Sequence, residues 1–143
     1  MGEMSNAVAE FVDAFNSHDE ARIRAGYADD VVFQSPDAGR LEGVDAAVEY
    51  SMTFVNAFPD VHITVKNQVE TGDWVAYEFD FEGTHTRPLV SPDGEIPATN
   101  RRVTGSGAEF VRIQGGKVTE EHLYYDQVEL LTQLGLMPES ATA

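Results

Sequence analysis

A chain of 143 residues with 42% hydrophobic and 24% charged residues has the size and composition of a soluble globular protein, and we expect residues 1–143 to form a single domain. Twenty-five acidic residues against nine basic ones give a formal net charge of −16, which argues against nucleic acid and against anionic membrane surfaces as partners. The absence of cysteine excludes disulfides and thiolate chemistry, and because we find neither a membrane-length apolar run nor a secretory signal, we expect a cytoplasmic protein.

The N-terminal segment predicts two helices. The first is indicated by apolar residues at helical spacing, namely Val8, Phe11, Val12 and Phe15. Ser5 or Asn6 is a suitable N-cap for this helix. A second, short helix is predicted from Glu20 to Tyr27, with Asp19 as its N-cap.

A strand and a third helix follow. The run Val31-Val32-Phe33 predicts a short strand. The third helix is predicted from Gly43 to Phe58, and it ends before Pro59, which cannot continue a helix. Its apolar stripe comprises Val44, Val48, Val55 and Phe58.

Two alternating strands are predicted next, joined by a turn at residues 71–73. The first carries Val61, Ile63 and Val65 between polar residues. The second alternates apolar with small or acidic residues, and its apolar members are Val75, Tyr77, Phe79 and Phe81.

The C-terminal part predicts a loop, a hairpin and a last helix. Residues 87–100 contain three prolines and the pair Asp93-Gly94, which is typical of a loop or lid. Val103 to Ile113 and Lys117 to Tyr125 predict two strands joined by a tight turn at Gly115-Gly116. The last helix is predicted from about Gln127 to Leu134, ended by Gly135 and followed by Pro138.

Helices followed by a run of strands predict an α+β fold. We expect three N-terminal helices to cover one face of a curved antiparallel sheet. Such a layout can close around an apolar pocket for a small molecule.

Four stretches of the sequence resemble the SnoaL-like polyketide cyclase family. FNSHD at residues 15–19 and YADDVVF at 27–33 resemble its opening, GTHT at 83–86 its middle, and Tyr125-Asp126 with LLTQLG at 130–135 its end. The resemblance implies the cone-shaped, cystatin-like fold shared by ketosteroid isomerase and nuclear transport factor 2, and, by family analogy, a homodimer. It also implies intramolecular aldol ring closure as one activity, although one fold hosts many functions.

Asp126 matches the position of the family's acid/base aspartate near the end of the last strand. Aldol cyclisation needs a group that removes a proton next to a carbonyl and a group that protonates the new alkoxide. A carboxyl group whose pKa is raised by an apolar pocket can do both. Asp126 also stands three residues before Glu129, as in a helix capping box, and a capping carboxylate is a weaker base. Both roles are open at this point.

His122 and Glu109 are the next candidates. His122 shares a strand face with Asp126, and a two-residue turn at Gly115-Gly116 would place Glu109 directly opposite His122. The carboxylate would then orient the imidazole and raise its basicity. The alternative is an ion pair on the surface, since a register slip of one residue moves every side chain to the other face.

His85 is the fourth candidate, because it shares the parity of the aromatic residues on its strand. A bulge at Gly83 would turn it away, and the alternative is a loop histidine beside Arg87. The residues that we expect to line a substrate pocket are Phe15, Tyr27, Phe33, Phe54, Phe58, Tyr77, Phe79, Phe81 and Tyr124.

No metal motif, phosphate loop, nucleophile elbow or dinucleotide fingerprint is present, so we expect a cofactor-free mechanism. The function predicted is acid/base chemistry, aldol cyclisation or isomerisation, on a small hydrophobic carbonyl compound. The alternative is a non-catalytic module of the same fold that binds a small ligand or dimerises. Only two of the nine basic residues are lysines, and this acidic, lysine-poor composition predicts a salt-loving host. The alternative is an ordinary acidic protein.

Overall fold

Eight strands and four helices make up residues 3–91 and 94–137, the part of the chain that the computed structural model describes. The helices are α1 (Glu3–Ser17), α2 (Glu20–Ala25), α3 (Val44–Ala57) and α4 (Gln127–Gln133). The strands are β1 (Tyr27–Ser35), β2 (Gly39–Glu42), β3 (His62–Thr71), β4 (Trp74–Thr84), β5 (Leu89–Ser91), β6 (Gly94–Ile96), β7 (Arg102–Gln114) and β8 (Lys117–Tyr125).

Six of these strands form one curved sheet in the order β2-β1-β8-β7-β4-β3. The predicted α+β class is confirmed, but the sheet is mixed, because β1 lies parallel to β8. The chain returns through α3 and three further sheet strands before β8 reaches β1, and such a long connection permits parallel pairing. A second, two-stranded sheet of β5 and β6 occupies part of residues 87–100, which we had predicted to be loop or lid. Asp93, the first residue of the predicted Asp93-Gly94 pair, lies outside the described residues.

The N-terminus of α2 follows local capping chemistry, whereas α3 begins after Gly43 with no side-chain cap. Asp19 caps α2 as predicted, and its side chain accepts hydrogen bonds from the backbone of Ala21 and Arg22. Helix α1 already begins at Glu3, so Ser5 and Asn6 lie inside the helix and the predicted cap is wrong. The hydroxyl of Ser5 instead donates to Glu70 of β3, at 2.7 Å. Pro138 lies outside the described residues.

The inner face of the sheet packs against α1 and α3 and forms the core. The predicted alternation on β4 is confirmed, since Val75, Tyr77 and Phe79 are buried and Phe81 is partly buried. The side chains between them face outward, away from the helices. The same inner face continues onto β7 and β8.

Two glycines on β7 leave space on this inner face. Gly107 pairs with Phe79 and Gly105 pairs with Phe81. A Cβ atom at either glycine would lie 2.6 Å from the facing aromatic ring, which is far inside normal contact distance. Glycine at these two positions therefore lets the rings lie flat across β7 and keeps side chains out of the region above it.

A bulge near the hairpin turn sets the register of β7 and β8. Ile113 pairs with Val118, as a two-residue turn requires, but Arg112 then pairs with Glu120, so that Thr119 is skipped. The extra residue moves every later side chain of β8 to the opposite face. Residues 121, 123 and 125 consequently point inward, whereas the sequence predicts that His122, Tyr124 and Asp126 do.

Candidate functional site

A cavity of about 130 Å³ lies between the inner face of the sheet and the helices. Its wall is mainly aromatic and aliphatic. Of the residues predicted for a pocket, those found in its wall are Phe15, Tyr27, Phe33, Phe54, Phe58, Phe79 and Phe81. Phe11, Tyr50 and Tyr125 complete the aromatic part of the wall.

Two residues predicted for the pocket lie elsewhere. Tyr124 is on the outer face of the sheet with 51% of its surface exposed, where its ring packs edge-on against Phe110. Its inward placement was wrong because the bulge at Thr119 shifts β8 by one residue. Tyr77 is buried behind the cavity wall and reaches the site only through its hydroxyl, which donates to Glu109.

Two carboxyl groups meet in the wall of the cavity. Glu109 on β7 and Glu121 on β8 are only 6% and 5% exposed, respectively. They stand on a diagonal of the hairpin, because Glu109 pairs with Leu123 and Glu121 pairs with Val111. Diagonal positions on one face are close enough for long side chains to touch, and a hydrogen bond joins the two carboxyl groups.

Two buried tyrosines hold this carboxyl pair from either side. Tyr27 donates its hydroxyl to Glu121 Oε1 at 2.6 Å, and Tyr77 donates to Glu109 Oε1. Burial raises the pKa of both phenols, and the neighbouring carboxyl charges raise it further. The phenols therefore stay protonated and act as fixed donors to the pair.

The pKa of each carboxyl group is raised, first of all by burial. The charge of Glu121 and its hydrogen bond raise the pKa of Glu109 further. The same hydrogen bond lowers the pKa of Glu121, as does the bond from Tyr27, and both oppose the effect of burial. The two groups therefore titrate as one coupled pair, and burial favours the state in which they share a proton.

No lysine, arginine or histidine is among the described residues that line the cavity. Two carboxylates side by side in an apolar wall cannot both ionise cheaply without such a cation. The pair consequently retains a proton under conditions in which exposed glutamates have lost theirs. A protonated acid and a proton-accepting carboxyl group then lie side by side at one place in the cavity wall.

Asp126 does not reach the cavity. It is exposed and caps α4, where its Oδ1 accepts the backbone N–H of Glu129 at 3.0 Å. The expectation that it faces the pocket was wrong, because β8 ends at Tyr125 and the chain turns into the helix at the next residue. Of the two roles left open by the sequence, the observed contact is that of the cap.

His122 lies on the outer face of the sheet. Its Nε2 is 3.2 Å from Glu120 Oε2, and its ring packs edge-on against Trp74. The predicted pair with Glu109 does not form, because the bulge places Phe110 opposite His122. The alternative of a surface contact is therefore the observed one.

His85 is fully buried, as its inward parity implies, but it lies beside the cavity and not in its wall. Its ring stacks on Phe58 with centroids 5.1 Å apart, and its Nδ1 accepts the backbone N–H of Thr99 at 3.2 Å. Burial lowers its pKa, an effect that a hydrogen bond donated by the ring to the backbone of Arg87 opposes. These contacts tie the end of β4 to the segment that precedes β7.

A second polar group, the mouth cluster, lies at the exposed end of the cavity and consists of Ser35, Asp37, Tyr50 and Tyr125. Tyr50 and Ser35 donate their hydroxyls to Asp37 Oδ1, at 2.9 and 2.7 Å. Tyr125 lies within hydrogen-bond reach of Tyr50, which lowers its pKa, and of Asp37, which raises it. Burial raises the pKa of both tyrosines, which are only partly exposed and line the cavity, whereas Asp37 is exposed.

Sequence reasoning found Glu109 but missed Glu121, Tyr50 and Tyr125. A signal for β8 was present, because Val118 and Leu123 have opposite parity although both are apolar, which indicates a bulge between them. Tyr50 precedes Phe54 by four residues and therefore shares its helix face.

Residues 3–91 and 94–137 lack two further features. No group of three or more histidine, aspartate or glutamate side chains is placed there to hold a metal ion. None of the helices in this part of the chain has the length and apolar character needed to cross a membrane.

Comparison with known proteins gives one family match and many structural neighbours. The family model of the SnoaL-like polyketide cyclases matches residues 6–134. Among curated proteins, none matches this chain.

Two structural neighbours are from Streptomyces. AclR, a candidate hydroxylase from Streptomyces galilaeus, is 28% identical with a TM-score of 0.79, over 96% of this chain and 87% of that one. IdmH, a candidate polyketide cyclase from Streptomyces antibioticus, is 29% identical with a TM-score of 0.76, over 94% and 99% of the two chains.

A third neighbour, from Jannaschia sp. CCS1, is a candidate SnoaL-like polyketide cyclase. It is 16% identical with a TM-score of 0.82, over 95% of this chain and 94% of that one, and it bears on the fold alone. Another neighbour, from Catenulispora acidiphila, has a ketosteroid isomerase-like fold. The predicted fold class is confirmed by these matches.

Proposed function

The chain belongs to the SnoaL-like polyketide cyclase family, and from that premise we propose that it catalyses cofactor-free acid/base chemistry on a small hydrophobic carbonyl compound, with Glu109 and Glu121 as the acid/base pair. The observation that carries this proposal is the pair itself: two hydrogen-bonded carboxyl groups with raised pKa values in the wall of an aromatic cavity. Perturbed pairs of this kind are typical of catalytic sites.

The first step is enolisation of a ketone bound at the pair. Glu121 takes a proton from the carbon next to the carbonyl, while Glu109 donates its proton to the carbonyl oxygen. The pair ends the step with the same number of protons, now carried by Glu121. No charge is left on the ligand, which matters because no lysine, arginine or histidine among the described wall residues could stabilise an enolate.

Ring closure follows from the enol. Its α-carbon attacks a second carbonyl of the same molecule, a carbon–carbon bond forms, and the new alkoxide oxygen takes the proton from Glu121. The enol oxygen returns its proton to Glu109 as the first carbonyl is restored. Proton return to carbon instead of ring closure gives isomerisation or simple exchange, so both predicted reactions begin with the same step.

Proton exchange therefore tests the proposal without knowledge of the natural substrate. A panel of aryl ketones and 1,3-diketones in D₂O is incubated with the full chain, and loss of the α-proton signal is followed by NMR. We expect at least one compound to exchange faster than in buffer. Glu109→Gln or Glu121→Gln should remove about 10²- to 10⁴-fold of that acceleration, the range typical of general acid/base groups.

Asp126→Asn is the matched control, because it changes a carboxyl group outside the cavity. It should leave the exchange rate unchanged and lower the melting temperature slightly, since the helix cap is weakened. Loss of exchange in Asp126→Asn with retention in Glu109→Gln and Glu121→Gln would overturn the assignment of the pair.

One observation favours a second candidate, a non-catalytic ligand-binding module. Each carboxyl group of the pair already accepts a hydrogen bond from a phenol. Buried networks whose polar groups are all hydrogen-bonded also stabilise structure. The same panel separates the two functions. Compounds that bind but exchange their α-protons no faster than in buffer would support the binding function and contradict the catalytic one.

A further inference from the structure

The cavity has two polar ends at different depths. Glu109 and Glu121 are buried at the inner end, whereas the mouth cluster includes the exposed carboxylate of Asp37. Tyr50 and Tyr125 are the members of that cluster that line the cavity. The acid/base chemistry proposed above uses only the inner end.

Strand β8 gives the separation of the two ends. Glu121, Leu123 and Tyr125 alternate on its inner face, and all three line the cavity. At the rise of an extended strand, the Cα atoms of Glu121 and Tyr125 lie about 13 Å apart. The stretch between them is apolar, with Leu123 at its middle.

The hydrogen bonds within the mouth cluster determine what it can recognise. A phenol has one proton, and Tyr50 commits its proton to Asp37 at 2.9 Å. Tyr125 lies within hydrogen-bond reach of Tyr50, which lowers its pKa, and of Asp37, which raises it. Ser35 lies within the same reach of Tyr50. A phenol oxygen has more than one lone pair, so the oxygens of Tyr50 and Tyr125 can still accept from the cavity side, and the cluster suits a hydrogen-bond donor on the ligand.

Charge narrows the class of ligand further. The cavity has carboxyl groups at both ends, and its described wall contains no lysine, arginine or histidine. A carboxylate or phosphate would enter without a counter-charge and would be repelled at either end. An uncharged ligand avoids this cost.

We propose that the mouth cluster binds a hydroxyl group of an elongated, uncharged and mostly apolar ketone. The ketone lies at the Glu109–Glu121 pair, a placement that rests on the proposed function. The hydroxyl donates to the oxygen of Tyr50 or Tyr125. Asp37 does not touch the ligand in this arrangement and is a positioning residue, because it holds the proton of Tyr50 and thereby turns that oxygen toward the cavity as an acceptor.

Three related ketones test this inference on the full chain. The probes are 6-hydroxy-1-tetralone, 6-methoxy-1-tetralone, which cannot donate, and unsubstituted 1-tetralone, and their Kd values are measured by calorimetry. We expect the hydroxy compound to bind about fivefold more tightly than the methoxy compound, the worth of a typical net hydrogen bond.

Variants locate the source of that preference. Tyr50→Phe and Tyr125→Phe keep the aromatic rings, so each should reduce the preference for the hydroxy compound and leave the Kd of 1-tetralone nearly unchanged. Asp37→Asn should do the same, because an amide N–H competes with the tyrosines for their oxygens. A loss confined to the hydroxy compound would not result from general damage to the fold. Tyr124→Phe is the matched control on the outer face of the same strand and should change neither value.

Equal affinity for the hydroxy and methoxy compounds, a preference that survives in both cavity tyrosine variants, or no binding of any tetralone would each overturn the inference. Its failure is distinguishable from failure of the proposed chemistry. Tighter binding of the hydroxy compound without α-proton exchange would support the proposed role of the mouth cluster and contradict the proposed catalysis. Exchange without tighter binding of the hydroxy compound would contradict the role of the mouth cluster alone.

Discussion

Carboxyl groups on the two faces of the same sheet experience opposite environments. On the outer face, Asp80 accepts a hydrogen bond from Ser106 and pairs with Lys66 at 3.1 Å, and these contacts lower its pKa. On the inner face, burial raises the pKa of Glu109 and Glu121, and no basic residue stands beside them in the cavity wall as described. Burial and partners, not the type of side chain, decide which carboxyl groups hold a proton.

The contrast assigns different physical roles to the two faces. Exposed pairs such as Asp80–Lys66 contribute little to stability, since water and salt screen them. The inner carboxyl groups cost solvation free energy that the fold must offset through its packing and the two tyrosine hydrogen bonds. Four perturbations test this contrast between the two faces, and the first has the largest expected effect on stability.

The largest effect on stability is expected from a methyl group added to the inner face at Gly107. In Gly107→Ala the new Cβ would lie 2.6 Å from Phe79 Cζ and 2.8 Å from the backbone oxygen of Tyr124, and the backbone cannot easily move. We expect a loss of about 2–3 kcal/mol, measured by urea denaturation, as for overpacking of a core. At Gly105 the three nearest atoms all belong to the ring of Phe81, which is partly exposed and can turn toward the cavity, so the cost of Gly105→Ala should be smaller. Equal costs would mean that the backbone oxygen of Tyr124 adds nothing to the loss.

A smaller effect is expected from loss of one phenol donor. Tyr77→Phe removes the phenol that donates to buried Glu109, and we expect a loss of about 1–2 kcal/mol at neutral pH. The outer-face counterpart is Ser106→Ala, which removes the hydroxyl that donates to exposed Asp80 and should cost only a few tenths of a kcal/mol. If the two variants lose the same stability, the buried hydrogen bond to Glu109 contributes no more than the exposed one to Asp80.

Much of the fold follows from the sequence because it depends on the spacing of apolar residues and on local residues that begin or end an element. The alternation of Tyr77 and Phe79 with acidic residues and the stop at Pro59 are local signals, and the cap at Asp19 needs only its neighbours. The parallel pairing of β1 with β8 joins residues about ninety positions apart, and nothing in either strand's own pattern specifies that partner.

The site followed from the sequence only in part, for a reason of register. Most of the aromatic wall was predicted because the regular spacing of apolar residues shows which face of a helix or strand is buried. The acid/base residues were misplaced because one extra residue at Thr119 inverts the faces of β8 beyond it, so that His122 was expected where Glu121 stands. Glu109 was found because β7 itself has no such interruption between residues 103 and 111 along its pairing with β4.

The pH dependence of stability should have opposite signs on the two faces. For Glu109 and Glu121 the folded-state pKa is raised, so the unfolded chain releases these protons first as pH rises above the usual value of 4.5, and stability falls from there up to the folded-state pKa. Each such proton contributes a slope of about 1.4 kcal/mol per pH unit. For Asp80 the pKa is lowered, so its contribution is present above the usual value of 3.8 and is lost as pH falls.

Urea denaturation between pH 5 and pH 8 checks this sign. Glu109→Gln combined with Glu121→Gln should flatten the fall in stability over that interval. Asp80→Asn removes a negative charge from the outer face and should leave the fall in place, which separates the buried pair from the general repulsion of an acidic chain. An unchanged slope in the double variant would show that the pair ionises as freely as exposed glutamate.

Added salt should act on the outer face and leave the inner pair untouched. Twenty-five acidic residues against nine basic ones repel one another across the surface, and at 1 M salt charges more than about 3 Å apart are screened. Relief of this repulsion should outweigh the weakening of exposed ion pairs, because acids outnumber bases and most cannot be paired. We expect a gain of about 1 kcal/mol, or roughly 3–5 °C in Tm, between low and molar sodium chloride. The double glutamine variant should gain as much, since its changes are buried beyond the reach of ions, and a chain that gains nothing in molar salt would contradict the salt-loving host predicted from its composition.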